Sequence, residues 1–288
     1  MKLLEMNLTV NGRVKLTGYI QMPSKEMGTV AKKPAVLIFP GGGYAFLSDR
    51  EAEPVALAYA AQGFQTFVLR YSVGKHAAGF QPLKEASSAI ALIREHADEW
   101  HVIPDQIAVC GFSAGGHLAC AVGLQGEHRP NALILSYPAI DFGGAEEAKA
   151  AQNKIVETLL GKTDYTQKDI DVLNLHKHVT KEAPPAFIWT TGEDELVIVE
   201  HSLKLVAGYA AQKRPFEYHV FQKGEHGLSL AQPVLANGRK SMVDAHAAKW
   251  FELSVGWLRS NFGELEVVDK PFEFNFESFA EEQSTEEC

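Results

Sequence analysis

The chain opens with two segments in which polar and apolar residues alternate, about Leu3 to Val10 and Val14 to Met22, parted by Asn11-Gly12. Alternation at period two describes a strand with one covered face, and Asn-Gly between two such runs predicts a hairpin turn. Farther on the pattern changes. Pro34–Phe39 (PAVLIF) is apolar throughout, as a strand covered on both faces must be. Similar short runs recur at Gln65–Arg70, Ile107–Gly111, Ala132–Ser136, Ala186–Thr191 and Phe216–Phe221. Helical patterns fill the intervals. Glu51–Gln62 is halted by Gly63, and Pro82–Trp100 carries Leu83, Ala86, Ala89, Ile90 and Ile93 at helical spacing. Leu118–Leu124, Glu200–Gln212 and Asp244–Leu258 also read as helices. A hairpin followed by alternating buried strands and helices predicts an α/β fold, a mostly parallel eight-stranded sheet with helices on both faces.

One stretch breaks this rhythm. From about residue 141 to 183 there are helical patterns and polar segments but no strand, too long a run for a plain loop. A small helical cap insertion over the site is the expectation there. The rest of 1–270 reads as one domain, and 271–288 as an acidic tail. The tail holds Glu273, Glu277, Glu281, Glu282, Glu286 and Glu287 without a Lys or Arg, so the net charge of -9 falls to about -3 on the body. Phe272, Phe274 and Phe276 share one side of the tail at strand period. That stripe is expected to pack on its own body or on a second copy, the latter giving a homodimer.

Composition narrows the function classes. Hydrophobic residues at 46% and charged ones at 22% are those of a globular protein, and no basic stripe exists to meet a nucleic acid backbone. No apolar run is long enough for a membrane span, and MKLLEMNLTV, with Glu5 inside it, lacks a signal-peptide core. Cys110 and Cys120 lie in apolar runs and Cys288 ends the chain, a sparse, odd set that suits a reducing compartment. A cytoplasmic protein is expected.

Three loops carry candidate chemistry. Gly111-Phe112-Ser113-Ala114-Gly115 is a Gly-x-Ser-x-Gly sequence set between the buried run Ile107–Cys110 and the helix begun by His117-Leu118. A strand-to-helix turn there strains Ser113 and exposes its hydroxyl above the sheet, which marks it as a nucleophile. No Gly-Lys-Ser/Thr sequence supports a phosphate loop instead. Pro40-Gly41-Gly42-Gly43-Tyr44 follows the first all-apolar strand. Its bare backbone can aim amides at a developing oxyanion, with one donor expected from Gly42 or Gly43 and one from Ala114.

A serine hydroxyl needs a base, and in a strand–helix fold of this kind the partners follow in the order Ser, Asp, His. Beyond Ala186–Thr191 comes Gly192-Glu193-Asp194-Glu195-Leu196-Val197, where Gly-x-Asp-x-x-Val favours Asp194 over Glu193 and Glu195. Beyond the next strand, Gly224-Glu225-His226-Gly227 places His226 at the same sheet edge, with His246 and His117 as substitutes. His176-Lys177-His178 lacks further ligands at metal-site spacing, so no metal is expected.

Taken together, PGGGY, GFQTFVLRYSVG (63–74), GFSAGGHLA, GEDELV and KGEHGLSL make the chain resemble the bacterial acetyl-esterase and carbohydrate-esterase branch of the α/β-hydrolases, relatives of the hormone-sensitive-lipase-like esterases. The likeness runs from about Leu16 to Phe262. It implies the α/β-hydrolase fold, small-molecule esters of short acyl groups (often acetylated sugars), and no cofactor. Enzymes of that group often carry His-Gly-Gly-Gly where this chain has Pro40-Gly41-Gly42-Gly43, so the hydrogen bonds of that His need another source. A serine peptidase or thioesterase would share the same three residues, and a non-catalytic ligand-binding relative would share the fold.

Overall fold

The computed structural model describes residues 1–24, 30–143 and 149–263. Its strands are β1 (Lys2–Asn7), β2 (Lys15–Ile20), β3 (Lys33–Phe39), β4 (Gln65–Arg70), β5 (Val102–Phe112), β6 (Ala132–Ser136), β7 (Ala186–Thr191) and β8 (Phe216–Phe221). They form one sheet in the order β1-β2-β4-β3-β5-β6-β7-β8. The first two pairings are antiparallel and all later ones parallel. The helices are α1 (Glu53–Ala61), α2 (Gln81–Glu95), α3 (Ala114–Gln125), α4 (Lys149–Leu160), α5 (Gln167–Leu173), α6 (Glu200–Ala211) and α7 (Trp250–Phe262).

The unbroken apolar runs have the cause inferred for them. Successive side chains of a strand point to opposite faces, and here both faces are covered. Leu37, Phe67, Val109, Leu135 and Ile188 meet α2, α3 and α6 through Ile90, Leu118 and Leu205 in one core. Val36, Ile38, Val68, Ile134 and Trp189 meet α1 and α7 through Val55, Tyr59 and Trp250 in the other. Each such buried side chain contributes roughly 1.5–3 kcal/mol of transfer free energy.

The elements depart from their expected bounds where polar side chains cap the backbone. The hairpin forms, with Lys2 opposite Ile20, but its strands stop at Asn7 and restart at Lys15. The Asn11 side chain accepts from Thr9 Oγ1 and the Arg13 amide, and this side-chain-braced loop replaces a two-residue turn. Strand β5 begins earlier than Ile107, its register against β3 shifting between Lys33 and Ala35 so that the Pro104-Asp105 stretch is bridged. The helix expected over Asp244–Leu258 starts at Trp250, because Asp244 Oδ1 accepts the amides of His246 and Ala247 and holds a turn there instead.

Between β6 and β7 lie α4, α5 and a short 3-10 turn, Leu175–His178. Val156, Leu159, Leu173 and Leu175 sink into the first core, so this insertion packs on the body. The Thr166 hydroxyl and the Asp169 carboxylate form a reciprocal capping box that starts α5. The acidic tail with its Phe272, Phe274, Phe276 stripe lies outside the described residues, as does Cys288. Among the described residues, no helix is long and apolar enough to cross a membrane.

Candidate active site

All the parallel strands end at one rim of the sheet, and the loops leaving β3, β5, β7 and β8 bring the singled-out residues together there. Ser113 stands between β5 and α3 with φ 53° and ψ -116°, a conformation foreign to a residue with a side chain. The strain is locked in by packing. A Cβ on Gly111 would overlap the Gly115 carbonyl, and one on Gly115 would overlap the Phe39 carbonyl, so the turn can be this sharp only with glycine at both places. The Ser113 amide donates to the Ser136 carbonyl at 3.0 Å, tying the turn to β6. Cys110 and Cys120 are sealed in the flanking strand and helix, and burial pushes both thiols far above their ordinary range.

The Ser113 hydroxyl lies 2.8 Å from Nε2 of His226, and Nδ1 of that ring lies 2.7 Å from Oδ2 of Asp194. Asp194 Oδ1 also accepts the amides of Leu196 at 3.0 Å and Val197 at 2.9 Å. Those donors orient the carboxylate toward the imidazole. A carboxylate can only accept, so Nδ1 carries its proton and Nε2 is left as the acceptor facing the serine. The Asp194 side chain is 1% exposed and that of His226 16%, so the acid is sealed while the imidazole reaches the cavity. Thr191 Oγ1 donates to the Gly224 carbonyl at 2.7 Å and joins the loops that carry the two residues.

The alternatives have other places. Glu193 accepts the Gly224 amide at 3.2 Å, Glu195 points into solvent, and His246 meets the ring of Phe221 edge-on. His117 lies beneath the serine turn, where Nδ1 accepts from the Tyr44 hydroxyl at 2.9 Å and Nε2 donates to the Leu173 carbonyl at 3.0 Å. Burial lowers its pKa to about 4, which keeps it neutral.

Gly42, with φ 124°, and Gly43, with φ 61°, line the same cavity as Ser113. The amide of Ala114 is the first of α3 and has no carbonyl within its own helix to reach. The Gly41 amide is used otherwise, donating at 2.9 Å to Oε2 of the buried Glu51. Glu51 also accepts, through Oε1, the hydroxyl of Tyr137 at 2.7 Å, and Tyr137 in turn accepts the Ser229 amide at 2.9 Å. One carboxylate and one phenol thus join the glycine loop, the loop after β6 and the loop of His226, whose ring lies edge-on to Tyr137 at 5.1 Å. Sequence reasoning missed both. Glu51 reads as an ordinary first residue of a helix, and nothing in Asp49-Arg50-Glu51 marks burial.

A cavity of about 400 Å³ opens over Ser113. Its walls are mostly apolar, from Phe46, Ala139, Phe142, Ile155, Leu196 and Val197, and Ile155 belongs to α4 of the insertion. Among the described residues, no group of three or more His, Cys, Asp or Glu side chains could hold a metal ion.

Residues 20–208 match the BD-FAE family model. The chain is 39% identical to MGS-M1, an α/β-hydrolase enzyme from a Medee basin deep-sea metagenome library, with a TM-score of 0.78 over 92% of this chain and 99% of that one. The carboxylesterase Cest-2923 of Lactobacillus plantarum is 30% identical, with a TM-score of 0.80 over 93% of this chain and all of its own. Among curated relatives, endo-1,4-beta-xylanase B of Butyrivibrio fibrisolvens is 33% identical over 72% of this chain, and an acetylxylan esterase of Xylanibacter ruminicola is 26% identical over 80%. The chain spans only 34% and 46% of those two proteins. A family match over well over half of the chain, with a fold shared by solved α/β-hydrolase relatives, makes this chain a member of the BD-FAE family with the α/β-hydrolase fold.

Proposed function

We propose that the chain is a serine carboxylic-ester hydrolase acting on short acyl esters, acetyl groups on sugars among them, with Ser113 as nucleophile, His226 as general base and Asp194 as the acid that orients it. The observation that carries this reading is the continuous relay from Ser113 Oγ through both nitrogens of His226 to Asp194, at 2.8 and 2.7 Å. The name of Cest-2923, a carboxylesterase similar over 93% of this chain, supports the ester, and that of the Xylanibacter relative supports the acetyl group.

In this mechanism Oγ attacks the ester carbonyl while its proton passes to Nε2 of His226. Asp194 stabilises the imidazolium through Nδ1–H without taking that proton. The carbonyl oxygen, now negative, is held by the Ala114 amide and by that of Gly42 or Gly43. Collapse breaks the bond to the alcohol oxygen, which leaves with the His226 proton, and an acyl-serine remains. Water then repeats the cycle, giving its proton to Nε2 and its oxygen to the acyl group. The mostly apolar walls, Ile155 of α4 among them, suit a short acyl chain.

A fluorophosphonate probe is expected to label the wild-type chain and not Ser113→Ala, while p-nitrophenyl acetate turnover falls at least ~10⁴-fold in that variant. Labelling or turnover retained by pure Ser113→Ala would defeat the assignment. Assays of a peptide and an acyl thioester beside the ester separate esterase from peptidase or thioesterase, and the ester is expected to give the highest kcat/KM.

A further inference from the structure

Among the polar side chains that line the cavity over Ser113 are His201 from α6 and Gln152 from α4, and the relay uses neither. They are 4% and 6% exposed. Nδ1 of His201 accepts two backbone amides, those of Ile140 at 3.0 Å and Asp141 at 3.1 Å. With that lone pair occupied, the ring proton must sit on Nε2. Burial lowers the pKa of this histidine to about 4, so at neutral pH it is an uncharged, fixed N–H donor. The terminal amide of Gln152 lies 3.4 Å from Nε2, and Gln152 Oε1 has no partner among the described residues. With Nε2–H fixed as a donor, the amide must turn its oxygen to that proton, which leaves the NH₂ group as the unpartnered end. One buried donor of Gln152 is then left beside the substrate cavity.

Buried polar atoms are nearly always hydrogen-bonded, and one left over beside a reaction centre marks a place for a ligand atom. The chemistry of that atom is constrained. His201 and Gln152 are both uncharged, so between them they suit a neutral group. The free NH₂ end of Gln152 calls for an acceptor, and the oxygen of a hydroxyl supplies one. We propose that His201 and Gln152 form a subsite that recognises a neutral hydroxyl of the ester substrate, so that the enzyme selects hydroxylated esters over plain ones of the same size. The proposal rests on the esterase reading above.

The hydroxyl can belong to the acyl or to the alcohol half, and two matched pairs separate these. The acyl arm compares p-nitrophenyl 3-hydroxybutyrate with p-nitrophenyl butyrate. The alcohol arm compares cyclohexanediol monoacetates with cyclohexyl acetate. The wild-type chain is expected to favour the hydroxylated member at least tenfold in kcat/KM in one arm, which assigns the side. Gln152→Leu should bring that ratio close to one. His201→Asn keeps an acceptor for the Ile140 and Asp141 amides while deleting the outer N–H, and should lower the ratio as well. Both esters of a pair are read on one preparation, so a partly unfolded variant slows both and leaves the ratio alone. A wild-type ratio near one in both arms, or a tenfold ratio that survives both substitutions, overturns the subsite while leaving the esterase standing. Hydrolysis of none of the esters overturns the esterase reading and the subsite with it.

Discussion

At the scale of single residues, Asp194 offers a sharp test of the relay because its two oxygens have different duties. Oδ1 is held by the amides of Leu196 and Val197, and only Oδ2 faces His226. In Asp194→Asn the remaining oxygen stays with those two amide donors, which turns the NH₂ group toward Nδ1. The imidazole must then accept at Nδ1 and carry its proton on Nε2, where it can no longer take one from Ser113. Turnover of p-nitrophenyl acetate is expected to fall by about 10³–10⁴-fold, with the fold intact by circular dichroism. A loss below tenfold would mean that His226 does not depend on this carboxylate for its tautomer.

At the scale of elements, the site is an agreement between loops, and Glu51 is where they meet. In Glu51→Gln the side chain keeps one acceptor for two donors, the Gly41 amide and the Tyr137 hydroxyl. Relaxation of the glycine loop should displace the amides of Gly42 and Gly43, the proposed oxyanion donors, without touching the apolar walls. The expected signature is a kcat lowered about 10- to 100-fold with KM little changed, since only transition-state binding is lost. Equal effects on kcat and KM, or none, would argue that Glu51 merely fills space.

Glu51 also shows where sequence patterning stops being informative. The strand bounds of β4, β6, β7 and β8 coincide with the expected runs, and in β6 and β7, where every residue is buried, two-sided burial excludes charged residues along the whole strand. The loops holding Ser113, Asp194 and His226 were legible for a related reason: each follows directly on such a run. Glu51 is far from any strand end and owes its burial to Tyr137, a partner 86 residues away. His201 and Gln152 were equally hidden, since each looks like an ordinary polar position of a helix and takes its meaning from what faces it.

At the scale of the molecule, two buried histidines couple integrity to pH. His117 links the glycine loop, through Tyr44, to the insertion, through Leu173, and His201 links α6 to the backbone after β6. Each has a pKa of about 4 in the fold, against 6.5 for a free imidazole. The unfolded chain binds more protons between those values, so the stability due to the neutral rings is complete above pH 6.5. It is lost as the pH falls toward 4, on the order of 3 kcal/mol for each ring. His117→Phe should be less stable than the wild type at pH 7 by about 1–3 kcal/mol, from its two lost hydrogen bonds. That gap should narrow as the pH is lowered to 5, as followed by urea unfolding. A gap constant with pH would show that His117 stays neutral in the unfolded chain too, or charges freely in the native one.

The sealed thiols on either side of the serine turn carry a last consequence. A sulfur that stays protonated and is out of reach is a poor target for peroxide, alkylating agents or mixed-disulfide exchange. The scaffold that strains Ser113 is therefore indifferent to oxidising or reducing surroundings, and thiol-directed reagents can be used on the folded protein without disturbing the turn that holds Ser113.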